Sequence, residues 1–594
     1  MSAIRLKKLS IENYRSFGDL QEFEFPNSTC TKPIAIIGYN NAGKSTFLNS
    51  LLYGIGENFI SAKTFELVDL HNLNIGNHLH IRTTIAASDF APLNQWGQRQ
   101  SIAGSYHIST NMENDELKSN CSPSFFGKNK HYNIFYINFH NIKEEISTQK
   151  TSWGNLKSFL AKHIQKLVDL DQVMKDKKDA FQEAVKHATD TVLENSQLKN
   201  FIETIQENYQ QNLRNNSCYV EFGLPHYEDI FLKMLFKVGL NGNVDSLIPI
   251  DHFGDGFISM FVMAVIQSIA ETNVNDRCLF LFEEPESFLH ENHQEYFYKM
   301  VLCGLAEKGH QVIYTTHSDR MIDAFDTKGI IRLEMDENNQ TVKAYNNIGE
   351  FTNPFVDALQ QDFEEPINVV RFNDYVKTVE PNLSRMLFSK KVVLVEGPND
   401  ILVYKEVIRR KVLEAIAQRV DIVDKNKFAD TYLNFENISF ICHHGKATAL
   451  YIVELCKHFN VDYYVINDWD FDALDVSVAT LQAFNDLAAL KASELYINSN
   501  ANKKGMLTTN RMLIESADHN KIHFNISKLE TVIGYNSNDK SGLKIWQLIQ
   551  TANFAVTGAL FPNSLYDFLE INKLVSGPNN NNAGVPLANQ DLPF

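Results

Sequence analysis

Apolar positions along this chain recur with two different periods, and the changes between them mark its parts. From Ile4 to about Thr84, short apolar runs either alternate with polar residues, as in "IRLKKLSIENY", or stand unbroken, as in "IAIIG". The first pattern predicts a half-buried strand and the second a strand covered on both faces. A helical stretch, "STFLNSLLYG", stands among them. From about Lys143 to Asn215 the period lengthens: "LKSFLAKHIQKLVDLDQVM" and "DAFQEAVKHATDTVLENSQLKNFIETIQENY" carry apolar residues at helical spacing with almost no glycine, which predicts a helical insertion. Strand and helix then alternate again through "CLFLFEEPESFLH" and "QVIYTTHSD", the rhythm of a sheet covered by helices. Between these lies "GFISMFVMAVIQSIA" (256–270), apolar but interrupted and too short to span a bilayer comfortably, so it is expected as a core helix. Residues 351–385 hold three prolines and mixed charge. The predicted division is therefore a first α/β domain over 1–355, a linker over 356–385, a second α/β domain over 386–574 and a disordered Asn-, Gly- and Pro-rich tail over 575–594.

Composition narrows the classes. A chain of 594 residues is too long for one core, and 44% hydrophobic with 21% charged residues describes an ordinary globular protein. A net charge of -17 excludes a surface coated in basic residues, so any nucleic-acid contact must be local or carried by metal ions. Seven cysteines without a C-x-x-C pair give neither a zinc ribbon nor a disulfide framework. The start, "MSAIRLKKLSIENYRSFG", lacks the apolar block of a signal peptide, so a reducing cytoplasm is expected, with no membrane.

Candidate chemistry begins at "GYNNAGKS", Gly38 to Ser45, which follows a buried strand and opens a helix. That is the context a phosphate-binding loop requires. Backbone N–H groups from Asn40, Asn41 and Gly43 to Thr46 would cradle the phosphates of ATP, Lys44 would reach the β and γ phosphates, and Ser45 would ligand Mg2+. "CLFLFEEPE" supplies two acids at a strand end: Glu283 to hold magnesium, Glu284 to orient or deprotonate the attacking water. With the strand-rich start, "EEPESFLH" and "TTHSD", this order resembles the ABC-type ATPase domains of SMC-like and OLD-like proteins, where ATP lies between two subunits. The resemblance implies that His317 is a switch residue sensing the γ-phosphate. "GDGF", Gly254 to Phe257, opens a helix as an ABC signature does, although Asp255 departs from the usual pattern.

A second site begins at "VVLVEGPNDILVYKEV", an apolar run ending in Glu396 with Asp400 four positions on. "DYYVINDWDFDA" is another apolar run, ending in Asp468, Asp470 and Asp472, and alternation places Asp468 and Asp470 on one side if the strand continues. Such a cluster suits the oxygen-loving Mg2+ or Mn2+. E-G-x-x-D followed by Asp-x-Asp resembles the Toprim domain, and "LFSKKVVLVEGPNDILVY" resembles its form in OLD-family nucleases. The resemblance implies that Glu396, Asp468 and Asp470 bind catalytic metal and that Asp400 helps a second ion. "FICHHGKATAL" fits the intermediate strand and turn, with Gly445 and Lys446 at its tip. "ISKLETVIGYNSNDKSGLKIWQLI" matches the region where the family carries an acid and a lysine, giving Glu530 and Lys540; Glu515 and Lys544 are the alternatives.

The resemblance therefore implies an ATP-binding, metal-dependent endonuclease of the OLD family, similar to the nuclease of Gabija-type defence systems, acting on DNA or on RNA such as tRNA. A homodimer or higher homo-oligomer is expected, and a partner protein from the same defence system is possible. An SMC-like clamp with a non-cleaving Toprim fold is the competing class.

Overall fold

A computed structural model describes residues 5–55, 60–86, 105–114, 116–122, 134–142, 172–193, 197–213, 237–239, 247–272, 278–356, 368–471, 475–536 and 541–575. The chain divides into two compact units, Met1–Ile322 with Lys328–Ile348, and Asp323–Thr327 with Gly349–Phe594. The architecture is mixed α/β in both.

In the first unit, β1 (Arg5–Glu12), β2 (Gln21–Glu24), β4 (His80–Ala86), β5 (Ser105–Glu113) and β6 (Glu116–Ser122) make an antiparallel sheet in the order β2-β1-β4-β5-β6. A second, six-stranded sheet runs β13-β12-β3-β11-β10-β7 and is parallel except for β13. Its strands are β3 (Ile34–Ile37), β7 (Ile134–Asn138), β10 (Leu279–Glu283), β11 (Gln311–Thr315), β12 (Ile330–Met335) and β13 (Thr341–Asn346), while β8 (Lys237–Val238) and β9 (Ile248–Pro249) form a short separate pair. Helix α1 (Lys44–Gly54) lies in a core shared by both sheets: Phe47, Leu48, Leu51 and Leu52 pack with Leu9, Ile11 and Ile81 of one sheet and Ile36, Leu281 and Ile313 of the other. Burial on several sides explains why this helix reads as apolar rather than amphipathic. It ends on Gly54, where a Cβ would stand 1.9 Å from Thr83 Oγ1, so a side chain there would push the helix off β4.

The expected insertion is represented by α2 (Gln172–Leu193) and α3 (Gln197–Leu213); its first part, 143–171, lies outside the described residues. The apolar stretch expected as a core helix is α4 (Asp255–Thr272), but it is buried on one side only. Ile258, Val262, Met263 and Ile266 are covered, whereas Phe257 is 59% and Met260 37% exposed. Among the described residues no helix is long and apolar enough to cross a membrane.

The second unit is built on β14 (Lys391–Val395), β15 (Ile438–Cys442), β16 (Asp462–Asp468) and β17 (Ile522–Asn525), all parallel, in the order β15-β14-β16-β17. Each strand is a β-branched and aromatic run, and all five residues of β14 are buried, as a parallel strand covered on both faces requires. Its helices include α5 (Val369–Val379), α6 (Pro398–Ala415), α7 (Lys446–His458), α8 (Ala501–Ser516), α9 (Leu529–Val532) and α10 (Gly542–Ile549). The segment expected as a linker, 356–385, thus contains α5, whose Val376 is buried, and belongs to this unit from Gly349 onward. The end of the unit closes its beginning: Lys391 Nζ donates to Phe568 O and pairs with Glu570 at 2.8 Å, and Ile571 is buried with Val393 and Val395. The expected disordered tail lies outside the described residues except for Val575.

Candidate functional site

The first site sits where β3 turns into α1. The turn is made possible by Gly43, at φ 88°, whose absent Cβ would lie 2.3 Å from Thr341 Oγ1 and 2.8 Å from Ser16 Oγ. Any side chain there would carry both left-handed strain and a clash. Asn40 and Asn41 occupy the loop, Asn41 also at positive φ, and Ser45 and Thr46 follow Lys44 in the first turn of α1. Lys44 is 5% exposed; its ammonium donates to Gly38 O (3.0 Å) and Tyr39 O (2.8 Å) and stands 3.5 Å from His317 Nδ1. Burial lowers its pKa to about 8, opposed by the charges of Glu284 and Glu286.

The sheet order places β11 between β3 and β10, so His317, just beyond β11, falls between the loop and the two acids. Its Nε2 is 3.2 Å from Glu284 Oε1. The His317 ring thus lies between the Lys44 ammonium, which faces Nδ1, and the Glu284 carboxylate, which faces Nε2. His140 Nε2 reaches the other oxygen of Glu284. The hydrogen bond from His317 is the largest cause that holds the Glu284 carboxyl down at about 2, with His140 adding to it. Glu283 accepts from Tyr136 (2.6 Å) and Asn138 (3.0 Å).

Three of these partners were not foreseen. Tyr136, Asn138 and His140 come from β7 and the turn after it, and the motif order carries no sign that this strand adjoins β10. Glu286, whose carboxylate accepts from the His317 N–H at 2.6 Å and whose pKa burial raises, was visible as a third acid in "EEPESFLH". "GDGF" forms the first turn of α4 and its approach, with Asp255 in that turn.

The second site lies at the carboxyl edge of the parallel sheet. The chain leaves β14 to form β15 on one side and returns to form β16 on the other, so β14 and β16 diverge at a topological switch point. In open α/β sheets that crevice is where ligands bind. Glu396 follows β14 and Asp468 ends β16. Asp400, in the first turn of α6, is 7% exposed and accepts from the Gly397 N–H at 3.0 Å. Burial, then repulsion by Asp468 and Glu396, pushes Asp400 up to about 7. Asp468 is likewise pushed up to about 7, by burial and then Glu396, with Glu530 and Asp470 adding, against the Leu529 N–H that it accepts at 2.8 Å. Glu530, in α9, is 7% exposed.

Asp470 departs from the expected alternation. The strand stops at Asp468, Trp469 is fully buried with its indole N–H on Val476 O, and Asp470 takes a left-handed φ of 64°. Its carboxylate pairs with Lys446 Nζ, while its charge still raises Asp468, so strand alternation does not describe the pair beyond the strand end. Asp472 and Lys540 lie outside the described residues. Of the alternatives, Glu515 lines a cavity with Val461, Tyr463 and Lys521, at the end of β16 opposite Asp468, and its partner is Arg511 at 3.7 Å. Lys544 is on α10, whose first residue, Gly542, lies where an added Cβ would stand 3.1 Å from Oδ1 of Asn399 in the first turn of α6. The sequence did not single out Tyr404 and Asn525: the buried Tyr404 hydroxyl donates to Asn525 Oδ1 at 2.9 Å, and Asn525 reaches Asp468 at 3.5 Å.

The chemistry of this donor set is of the kind a divalent cation takes: Glu396, Asp400, Asp468 and Glu530 offer only carboxylate oxygens, from three segments, and the repulsion that raises two of them is what a bound cation would relieve, although no three of their ligand atoms stand within 4.8 Å of one another.

Two family models match the chain: an AAA ATPase domain over residues 98–322 and the TOPRIM domain of overcoming-lysogenization-defect-like proteins over 387–470. Among characterised proteins, it is 22% identical over 507 residues to an OLD nuclease of Thermus scotoductus, covering 79% of this chain and 83% of that one. It is 22% identical over 433 residues to endonuclease GajA of Bacillus cereus, covering 68% of each. A third relative, the Old nuclease of Escherichia phage P2, is 23% identical over 262 residues, 43% of this chain and 39% of its own.

Proposed function

We propose that this chain, by its likeness to OLD-type ATPase–Toprim nucleases, is an ATP-dependent endonuclease that hydrolyses phosphodiester bonds at the carboxyl edge of its second unit. The observation that carries this reading is that Glu396, Asp400, Asp468 and Glu530 stand near the switch point between β14 and β16, close enough for their charges to raise Asp400 and Asp468. We assign the metal ligation to these four, with Mg2+ or Mn2+ as the ions. When bound, such ions supply the charge that activates water and stabilises the leaving oxygen. Leu529 N–H and Asn525 orient the Asp468 carboxylate, and Gly397 N–H orients Asp400. Lys446 and the first N–H groups of α7 offer positive potential to a phosphate, with Lys446 held in place by Asp470. Lys540 or Lys544 is the proposed cation on the transferring phosphate.

In the first unit the loop from Asn40 to Thr46 binds ATP, Ser45 and Glu283 take its Mg2+, and Glu284 positions the attacking water. A carboxyl held at about 2 is a weak base, so in this arrangement Glu284 orients water; it gains basicity only when His317 turns away toward a γ-phosphate. The substrate we favour is DNA, with a role in defence against phage, by likeness to Gabija-type nucleases. A homodimer is proposed through α2 and α3, whose Phe201 and Ile205 are exposed at 59% and 39%.

Purified protein incubated with plasmid DNA and with tRNA, with Mg2+ or Mn2+, with and without ATP, tests the proposal. Metal-dependent cutting of DNA, lost in Glu396→Ala and Asp468→Ala with the fold retained, is expected. Undiminished cutting by either variant would remove the assignment of the site.

A further inference from the structure

Beside the oxygen-only cluster stands a group of different chemistry. Glu380, which caps the end of α5, Cys442, the last residue of β15, and His444 place one ligand atom each within 4.8 Å of one another. Among the described residues no other trio of such side chains is so gathered. The Glu380 carboxylate is 8% exposed, accepts from the Cys442 N–H at 3.1 Å and the Asn382 N–H at 3.0 Å, and has His444 Nε2 at 3.8 Å. Cys442 is buried, and His444 holds a left-handed φ of 55°, so the side chain is presented here at some backbone cost.

We propose that Glu380, Cys442 and His444 form a binding site for a transition-metal ion of the zinc class, separate from the Mg2+ or Mn2+ ligands. A thiolate and an imidazole select Zn2+ or Co2+ over Mg2+, which prefers oxygen. Tetrahedral bonds of about 2.0–2.3 Å set neighbouring ligand atoms ~3.3–3.8 Å apart, so the present 3.8 Å between His444 and Glu380 needs little adjustment. Three protein ligands leave the fourth position to water on the exposed side of His444. On binding, the Cys442 thiol gives its proton to solvent and its sulfur to the metal.

The site has a defined mechanical effect. The main-chain N–H of His444 donates to Glu396 O (3.2 Å) and that of His443 to Val395 O (2.8 Å), so the turn carrying two of the ligands is bonded to the backbone that carries Glu396. An ion here fastens the segment entering the unit, at Glu380, to the strand tip beside the catalytic carboxylates.

Titration of the full chain with Co2+ tests this. The expected result is a thiolate-to-cobalt absorption saturating at one ion per chain, displaced by Zn2+ and accompanied by a rise in melting temperature. Cys442→Ser should abolish the absorption and His444→Ala should weaken binding at least about tenfold. Asp468→Ala should leave both unchanged, since that carboxylate belongs to the other cluster; failure to cut nucleic acid would therefore not affect this result. No thiolate absorption in the wild type, or absorption surviving Cys442→Ser, would overturn the proposal. Should Cys442→Ser fail to fold, unchanged Co2+ affinity in His444→Ala, whose side chain reaches solvent, would overturn it equally.

Discussion

Asp400 and Asp468 hold their protons to about pH 7, whereas an ordinary aspartate releases its own near 3.8. The folded protein therefore binds protons that the unfolded chain gives up between about pH 4 and 7, and without metal its stability should fall as pH rises through that window. The effect should be on the order of several kcal/mol, and saturating Mg2+ should reverse it. Asp468→Asn removes one of the repelling charges, so its metal-free melting temperature at pH 7.5 should exceed that of the wild type by several degrees and respond less to Mg2+. Thermal melts across pH with and without chelator measure both. Glu284 has the opposite sign: its carboxyl is held at about 2 instead of 4.5, so its contribution is present above pH 4.5 and lost as pH falls toward 2. Asn525 deserves a separate test because it joins Tyr404 to Asp468 inside the core. Asn525→Leu leaves a buried hydroxyl without its acceptor and should cost about 1–3 kcal/mol in urea denaturation. At this scale the sequence revealed the residues that sit on motifs, Lys44, Glu283, Glu284, Glu396, Asp400 and Asp468, because motif spacing follows the chain. It was silent on His140 and Asn525, which reach those residues from other strands and carry no local pattern of their own.

Elements were legible where one period dominates. The buried runs of β3, β10, β14 and β16 were each marked by unbroken apolar residues, and α1 by its position after the loop. Alternation does not reach Asp470 because the strand already stops at Asp468 and Asp470 itself is left-handed, and periodicity cannot foresee one backbone angle. The apolar composition of α4 marked it as a core helix, and Ile258, Val262, Met263 and Ile266 are buried, but Phe257 and Met260 are exposed, since composition alone does not tell which face is covered. The same ambiguity applies to α3. If its exposed apolar residues meet a second copy, Phe201→Glu with Ile205→Glu should convert the dimer to monomer at micromolar concentration by light scattering; a wild type already monomeric, with and without ATP, would remove this element from the interface.

For the whole molecule the question is whether the two sites exchange free energy. Lys44→Ala should lose ATP binding, whereas Glu284→Gln should bind ATP and hydrolyse it slowly, so the pair populate opposite ends of the ATPase cycle. Control of cutting by ATP requires unequal affinity for two nuclease states. Cleavage rates of the two variants should then differ by at least about fivefold when ATP is present, the low end of typical coupling. Equal rates for both variants and the wild type at every ATP concentration would leave the sites energetically independent.

The closure of the second unit on itself has a consequence for biosynthesis. Lys391 begins the first strand, but its partners are Phe568 and Glu570, and Ile571 completes the core behind Val393 and Val395. The carboxylates themselves are drawn from positions 396 to 530. A nascent chain can thus fold its first unit on the ribosome, at a synthesis rate of roughly 5–20 residues per second, for about 10–45 s before the segment that seals the second unit emerges. During that interval every residue of the phosphate loop has been made, whereas the segment that closes the core behind the first strand of the second unit has not. A chain released before Ile571 should accumulate as an ATP-binding protein with no nuclease activity, which gives translation itself a say in when the cleaving centre first exists.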